Sequence, residues 1–186
     1  MNMALELFRD PTEASTQKQS DIDWLLNQGI TIDAIASPWA VHAARVVFDD
    51  RGGYLPCPGV GEFAFVFAVI DCGTIIDAAA WQPKTGKIAT RLGFGGMLGE
   101  GQVGRDEIGT TGRPLPVWRD PVGWLKAGRC GVVIAEPDLA AHRLAGIVIS
   151  GEDHKHGREL RKRLRLPSPM IVSPHGNSNS YLRAVA

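Results

Sequence analysis

Three acidic residues stand just after short apolar runs in the second half of the chain. Glu136 closes Gly131-Val-Val-Ile-Ala135, and Glu152 and Asp153 follow Gly146-Ile-Val-Ile149. Ligands of open α/β sheets bind outside the carboxyl ends of the strands, so carboxylates in these places are candidates for chemistry. Clustered carboxylate oxygens suit Mg²⁺ or Mn²⁺, and those ions in turn suit phosphoryl transfer or nuclease-type hydrolysis. His154 and His156 lie close by as borderline ligands. The competing role is helix capping, with Asp138 serving a helix after Pro137 and Asp153 the helix that contains Leu160. A cap stabilises by about 1 kcal/mol and needs no metal.

A second chemistry is written in the basic segment 155–165. A helix expected over 157–166 has Leu160 and Leu164 four residues apart, so one face packs on a sheet. Arg158, Lys162 and Arg165 then point outward with Arg161 on the flank. Such a strip binds the phosphates of DNA or RNA with salt-sensitive, sequence-independent affinity. The alternative is a solvated face whose cations complement the helix C-terminus. Gly99-Glu-Gly101-Gln-Val-Gly104 spells G-x-G-x-x-G. No strand precedes it and no apolar helix opens within it, so a flexible loop is expected there, not a dinucleotide site. Gly86-Lys87 reads as a hairpin turn, and His42, His142 and His175 show no partner pattern.

The elements that must position these groups form an α+β fold. Short apolar runs alternating with helix-like segments give a small parallel βαβαβ block over about 129–173, with strands at 131–135, 146–149 and 170–172. Upstream, β-branched and aromatic runs at 45–48, 63–70, 74–81 and 87–91, separated by Gly- and Pro-rich turns, predict an antiparallel meander over about 44–92. The two are expected to share one mixed sheet with flanking helices. Ser20 and Asp23 open a short helix that stops at Gly29, and Thr31 caps a second one over 32–36. Asp120, Pro121 and Gly128 bracket a third. Residues 93–116, rich in Gly, are expected to be a long, partly mobile loop. Residues 1–19 read as a flexible lead-in, 20–173 as a single domain and 174–186 as a flexible tail.

Composition narrows the function classes. The 186 residues are 44% hydrophobic and 22% charged, with 20 Lys+Arg against 20 Asp+Glu, so no global field draws the chain to nucleic acid or membrane. Any electrostatic partner must be held by a local cluster. Cys57, Cys72 and Cys130 are odd in number and lack C-x-x-C spacing, which argues against a disulfide framework or thiolate zinc site. They are expected to be small buried hydrophobes in a cytoplasmic protein. The chain opens without a signal-peptide pattern, and its longest uncharged run is too short to span a bilayer, so no membrane partner is expected. Most of the five tryptophans should be core, with Trp81 and Trp118 half exposed.

Two resemblances add to this reading. With Val-Val-Ile-Ala before Glu136, and Glu152-Asp-His154-Lys-His-Gly157 downstream, the segment 131–165 resembles a trimmed toprim domain of primases and topoisomerases. That likeness implies Mg²⁺ or Mn²⁺ held by Glu136, Glu152 and Asp153, in a degenerate form because His154 occupies one acidic position. Thr74-Ile-Ile-Asp-Ala-Ala-Ala-Trp-Gln-Pro83, Ile88-Ala-Thr-Arg-Leu-Gly93 and the run 116–128 resemble uncharacterised proteins of phage-like and mobile bacterial elements. Three functions follow as expectations. The first is an accessory protein, non-catalytic or weakly catalytic, contacting nucleic acid through Arg158, Arg161, Lys162 and Arg165. The second is a metal-dependent phosphoryl-transfer or nuclease enzyme. The third is a protein-binding module, an inhibitor or assembly factor, that uses the meander's exposed face and the 93–116 loop.

Overall fold

The computed structural model describes residues 18–50, 52–103 and 113–165. Helices α1 (Gln19–Asn27) and α2 (Ile32–Ala36) lead into strands β1 (His42–Phe48), β2 (Tyr54–Pro56), β3 (Glu62–Asp71), β4 (Thr74–Trp81) and β5 (Ile88–Thr90). These five form one antiparallel sheet in the order β2-β1-β3-β4-β5. Period-two alternation along β3 sends Phe65, Phe67 and Val69 to one face and Ala64 to the other. The second face is lined mainly by Ala44, Ala64, Ala78, Ala80 and Ala89, with Val46 and Tyr54 toward the β1–β2 edge. The alanines let the sheet curl tightly, as the interior of a narrow barrel requires. Its two edges touch at a bridge between Gly53 and Thr90. The curled sheet is thus a half-barrel with an alanine-rich interior.

A second sheet follows, built from β6 (Met97–Leu98), β7 (Leu115–Trp118), β8 (Val132–Ile134) and β9 (Ile149–Ser150) in the order β6-β8-β7-β9. Strand β7 runs parallel to both β8 and β9, and β6 runs antiparallel to β8. Between the parallel strands lie α3 (Pro121–Lys126) and α4 (Pro137–Arg143), and α5 (His154–Arg163) comes after β9. The α+β architecture and the βαβαβ arrangement therefore stand as read from the sequence, with two corrections. The meander and the block form two sheets, not one mixed sheet. The block also begins one strand earlier, at β7, inside what reads as loop; the third expected strand at 170–172 lies outside the described residues.

Sheet two is covered on both faces, which is why Val132-Val133-Ile134 is apolar without interruption. Leu98 and Val133 join Phe65, Phe67, Trp124 and Leu125 in the core shared with the half-barrel and α1–α3. Met97, Leu115, Val117, Val132 and Ile134 pack on the other side against Ala140, Leu144 and Leu160 of the α4–α5 layer.

Buried charges tie the layers together. Asp77 of β4 is fully buried and accepts from the backbone N–H groups of Ala78, Arg91, Leu92, Phe94 and Gly95 at 2.7–3.2 Å. Arg129, at φ 61°, donates to the carbonyls of Ala34, Ile35 and Trp39 and lies 5.4 Å over the Trp124 ring. Burial pushes its guanidinium down to about 10. The Gly99–Gln102 stretch, expected to be a flexible loop, is instead a clasp. A Cβ on Gly99 would stand 2.3 Å from Gly131 O, and Gln102 bonds both the Gly131 N–H and the Arg129 carbonyl. Glu100, 2% exposed, accepts from Gly96 N–H and pairs with Arg143 Nε at 2.9 Å. Glycine is needed at position 99 for close backbone approach.

The cysteines correct another expectation. Cys57 is half-buried, whereas Cys72 and Cys130 are exposed, all as free thiols. Cys72 occupies the β3–β4 turn at φ 47° beside Gly73 at 77°, a position chosen by turn geometry and not by packing. Trp81 is buried and Trp118 half-buried.

Candidate functional site

Chain direction places the site. From β7 one parallel neighbour, β8, lies to one side, and the other, β9, lies to the opposite side. A sheet of this order has its switch point where the carboxyl ends of the first and third parallel strands meet. Arg119 leaves the end of β7 there, and Gly151, Glu152 and Asp153 leave the end of β9. Arg119 donates through its backbone N–H to Glu152 Oε1 at 2.7 Å and through one guanidinium nitrogen to Oε2 at 2.9 Å. The other guanidinium nitrogen reaches both Asp153 oxygens, at 2.9 and 3.0 Å. Arg119 is the residue that sequence reasoning missed. Its partners lie 33 and 34 positions away, and only the Pro-containing strand before it hints at its place.

This geometry also decides how the acidic residues are used. Asp153 caps α5 by accepting from His156 N–H at 2.8 Å, the capping role read from the sequence. The Arg119 hydrogen bonds, aided by the His156 N–H, hold its carboxyl well below the usual carboxylate range. The same contacts hold the Arg119 guanidinium above its ordinary value. His156, 4% exposed, accepts through Nδ1 from Glu152 N–H at 3.2 Å, which leaves the ring proton on Nε2. Burial first, and Arg119 second, lower its pKa. A small cavity of about 230 Å³ opens beside it, lined by Trp118, Arg119, Ile134, His156, Glu159 and Arg163.

Glu136 does not join Glu152 and Asp153, because β7 stands between β8 and β9. It precedes α4 as the N-cap position without a side-chain cap bond, and Asp138 lies in the first turn without serving as the cap. The Glu136 carboxylate faces the half-barrel: a Cβ on Gly52 would come within 3.2 Å of its Oε2. Burial, then the charge of Asp138, raises its pKa. Among the described residues no group of three or more His, Cys, Asp or Glu is placed to hold a metal ion.

The basic segment keeps its expected faces, although the helix runs over 154–163, three residues earlier than expected, because Asp153 caps it. His156 and Leu160 are buried and Leu164 is half-buried against the second sheet. At about 100° per residue, Arg161, Arg158 and Lys162 fall in one arc of about 100° on the opposite side of the helix, and Arg165 lies two residues past its end. All four are exposed. None makes a hydrogen bond or ion pair among the described residues. Lys155 extends the strip at its start, and Arg163 turns toward the small cavity. Arg158 and Arg161 also border a groove of about 950 Å³ between α4 and α5, floored by Leu144, Ile149 and Leu160.

Comparison with protein-family models, curated proteins and solved structures gives no match. Among the described residues no helix is long and apolar enough to cross a membrane.

Proposed function

We propose that this chain is an accessory protein that binds nucleic acid through the outer face of α5, using phosphate contacts that do not read sequence. One observation carries this reading: Arg158, Arg161 and Lys162 share one exposed face of α5, Arg165 is exposed just past its end, and none of the four side chains pairs with an anion among the described residues. Arg161 and Lys162 lie in the last turn of α5, where they also complement the helix C-terminus, whereas Arg158 and Arg165 do not serve that role. Within α5, Arg158 to Lys162 spans roughly 6 Å at 1.5 Å per residue, which is about two phosphate steps of one strand, and Arg165 follows just past the helix end. The resemblance to proteins of phage-like and mobile elements is in keeping with such a role.

The Arg119 tie supports the same reading over metal-dependent catalysis. It commits Glu152 and Asp153 to a cation already supplied by the chain, and it fixes the start of α5 against the end of β7. Fluorescence anisotropy with a labelled 20-base-pair duplex tests the proposal. Changing the four strip residues to Gln should weaken binding by about a hundredfold or more, as loss of several phosphate contacts does. Changing Lys84 and Lys126, which lie elsewhere, should leave it nearly unchanged. Equal loss from both sets, or none from the first, would refute the assignment to α5.

A further inference from the structure

The half-barrel carries a site of different character. Where α1 crosses the start of β3 and the β4–β5 turn, a cleft of about 750 Å³ is walled by Trp24, Phe63 and Phe65 and rimmed by Asp21, Glu62 and Lys84. Its rings are ordered. Trp24 stacks on Phe65 with centroids 5.5 Å apart at 27°, and Phe63 meets Phe65 edge-on at 5.1 Å. Trp24 and Phe63 are each 37% exposed, so two large aromatic surfaces face the cleft side of an otherwise well-packed core. The carboxylate at the rim is positioned too. Buried Gln82 donates to Glu62 Oε2 at 2.5 Å and is itself held by the Thr85 hydroxyl. Glu62 Oε1 makes no hydrogen bond among the described residues.

We infer that this cleft is a docking site for an arginine side chain of a partner polypeptide. Charge selects the occupant: two carboxylates face one ammonium among the lining residues, and aromatic faces are themselves electronegative. A planar guanidinium lies flat on an indole while its N–H fork reaches a carboxylate, a combination that ammonium groups satisfy less well. A volume of this size accommodates a segment of chain around the side chain and is larger than an isolated ion needs. The site lies on the half-barrel sheet, whereas α5 packs on the other sheet, so it is independent of the polyanion strip.

The probe is acetyl-Gly-Arg-Gly-amide, followed by calorimetry and by the indole N–H resonances, with the citrulline and glutamate peptides as controls. Citrulline keeps the shape and removes the charge. The arginine peptide should bind saturably, with citrulline about tenfold weaker, the loss expected for one cation–π contact and its charge partner. The glutamate peptide should not bind. Trp24→Leu and Glu62→Gln should each weaken the arginine peptide several-fold; Glu62 is exposed, so that variant leaves the fold intact. Replacing the four α5 cations with Gln should have no effect. Absence of saturable binding, citrulline binding as well as arginine, or unchanged affinity in Glu62→Gln would each overturn the inference.

Discussion

The charges between the layers and the charges on α5 differ in one respect that separates structure from function. Asp77 has five backbone N–H partners, Arg129 three backbone carbonyls, and Glu100 a backbone N–H and Arg143. Each is the hydrogen-bonded complement of polar backbone inside the fold. Arg158, Arg161, Lys162 and Arg165 have no such partners among the described residues, and removing them leaves nothing unpaired. Charge that the fold consumes holds the two sheets together; charge that the fold leaves over is available to a ligand. The Arg119–Glu152–Asp153 group falls between these cases, partly exposed yet fully paired, and it serves to seat α5.

That contrast can be tested by substitution, beginning with the greatest expected loss. Asp77→Ala should cost about 4 kcal/mol of stability in urea denaturation, because the buried or half-buried N–H groups of Leu92, Phe94 and Gly95 lose their acceptor together, while Arg91 N–H keeps the Ala78 carbonyl. A loss below about 1 kcal/mol would mean that water replaces the carboxylate and that the 91–95 segment does not depend on it. Arg129→Met should cost about 2 kcal/mol, since the methionine fills the volume but removes the donor to the Ala34 and Trp39 carbonyls, whereas the Ile35 carbonyl keeps Val41 N–H.

Glu100→Gln has a pH signature. Burial raises the Glu100 pKa against the opposing pull of Gly96 N–H and Arg143. Between the unfolded and folded values the native state therefore holds a proton that the unfolded chain has released. Stability falls as pH rises through that window, from about 4.5 upward. The stability difference between wild type and Glu100→Gln should show this decline and then level off; a difference independent of pH would exclude the buried, proton-holding carboxylate. The smallest effect belongs to the strip. Changing all four cations to Gln should alter stability by less than about 0.5 kcal/mol, as exposed substitutions do.

Legibility in the sequence followed the range of each interaction. Thr31, Asp120 and Asp153 accept from N–H groups three positions on, so their caps are visible locally. The buried and exposed faces of α5 follow in the same way from a four-residue period. Strands β6 and β7 escaped because they are two and four residues long and set among Gly and Pro. Their pairing with β8 is a tertiary fact. The alanine interior of the half-barrel was hidden because alanine has no marked strand preference, and only curvature explains its repetition. The acidic residues were found at the strand ends where they lie. Their distribution on two sides of β7, and their engagement by Arg119, depend on strand order and on a contact across 33 residues.

The most direct test is the salt dependence of duplex DNA binding by the wild-type chain and by the variant with Gln at 158, 161, 162 and 165. If α5 is the polyanion site, four phosphate contacts give a slope of log K against log salt near −3.6 for the wild type, at about −0.9 per contact. The variant should then bind weakly with a slope near zero. A variant that binds as tightly as the wild type, with an undiminished slope, would contradict polyanion binding by α5.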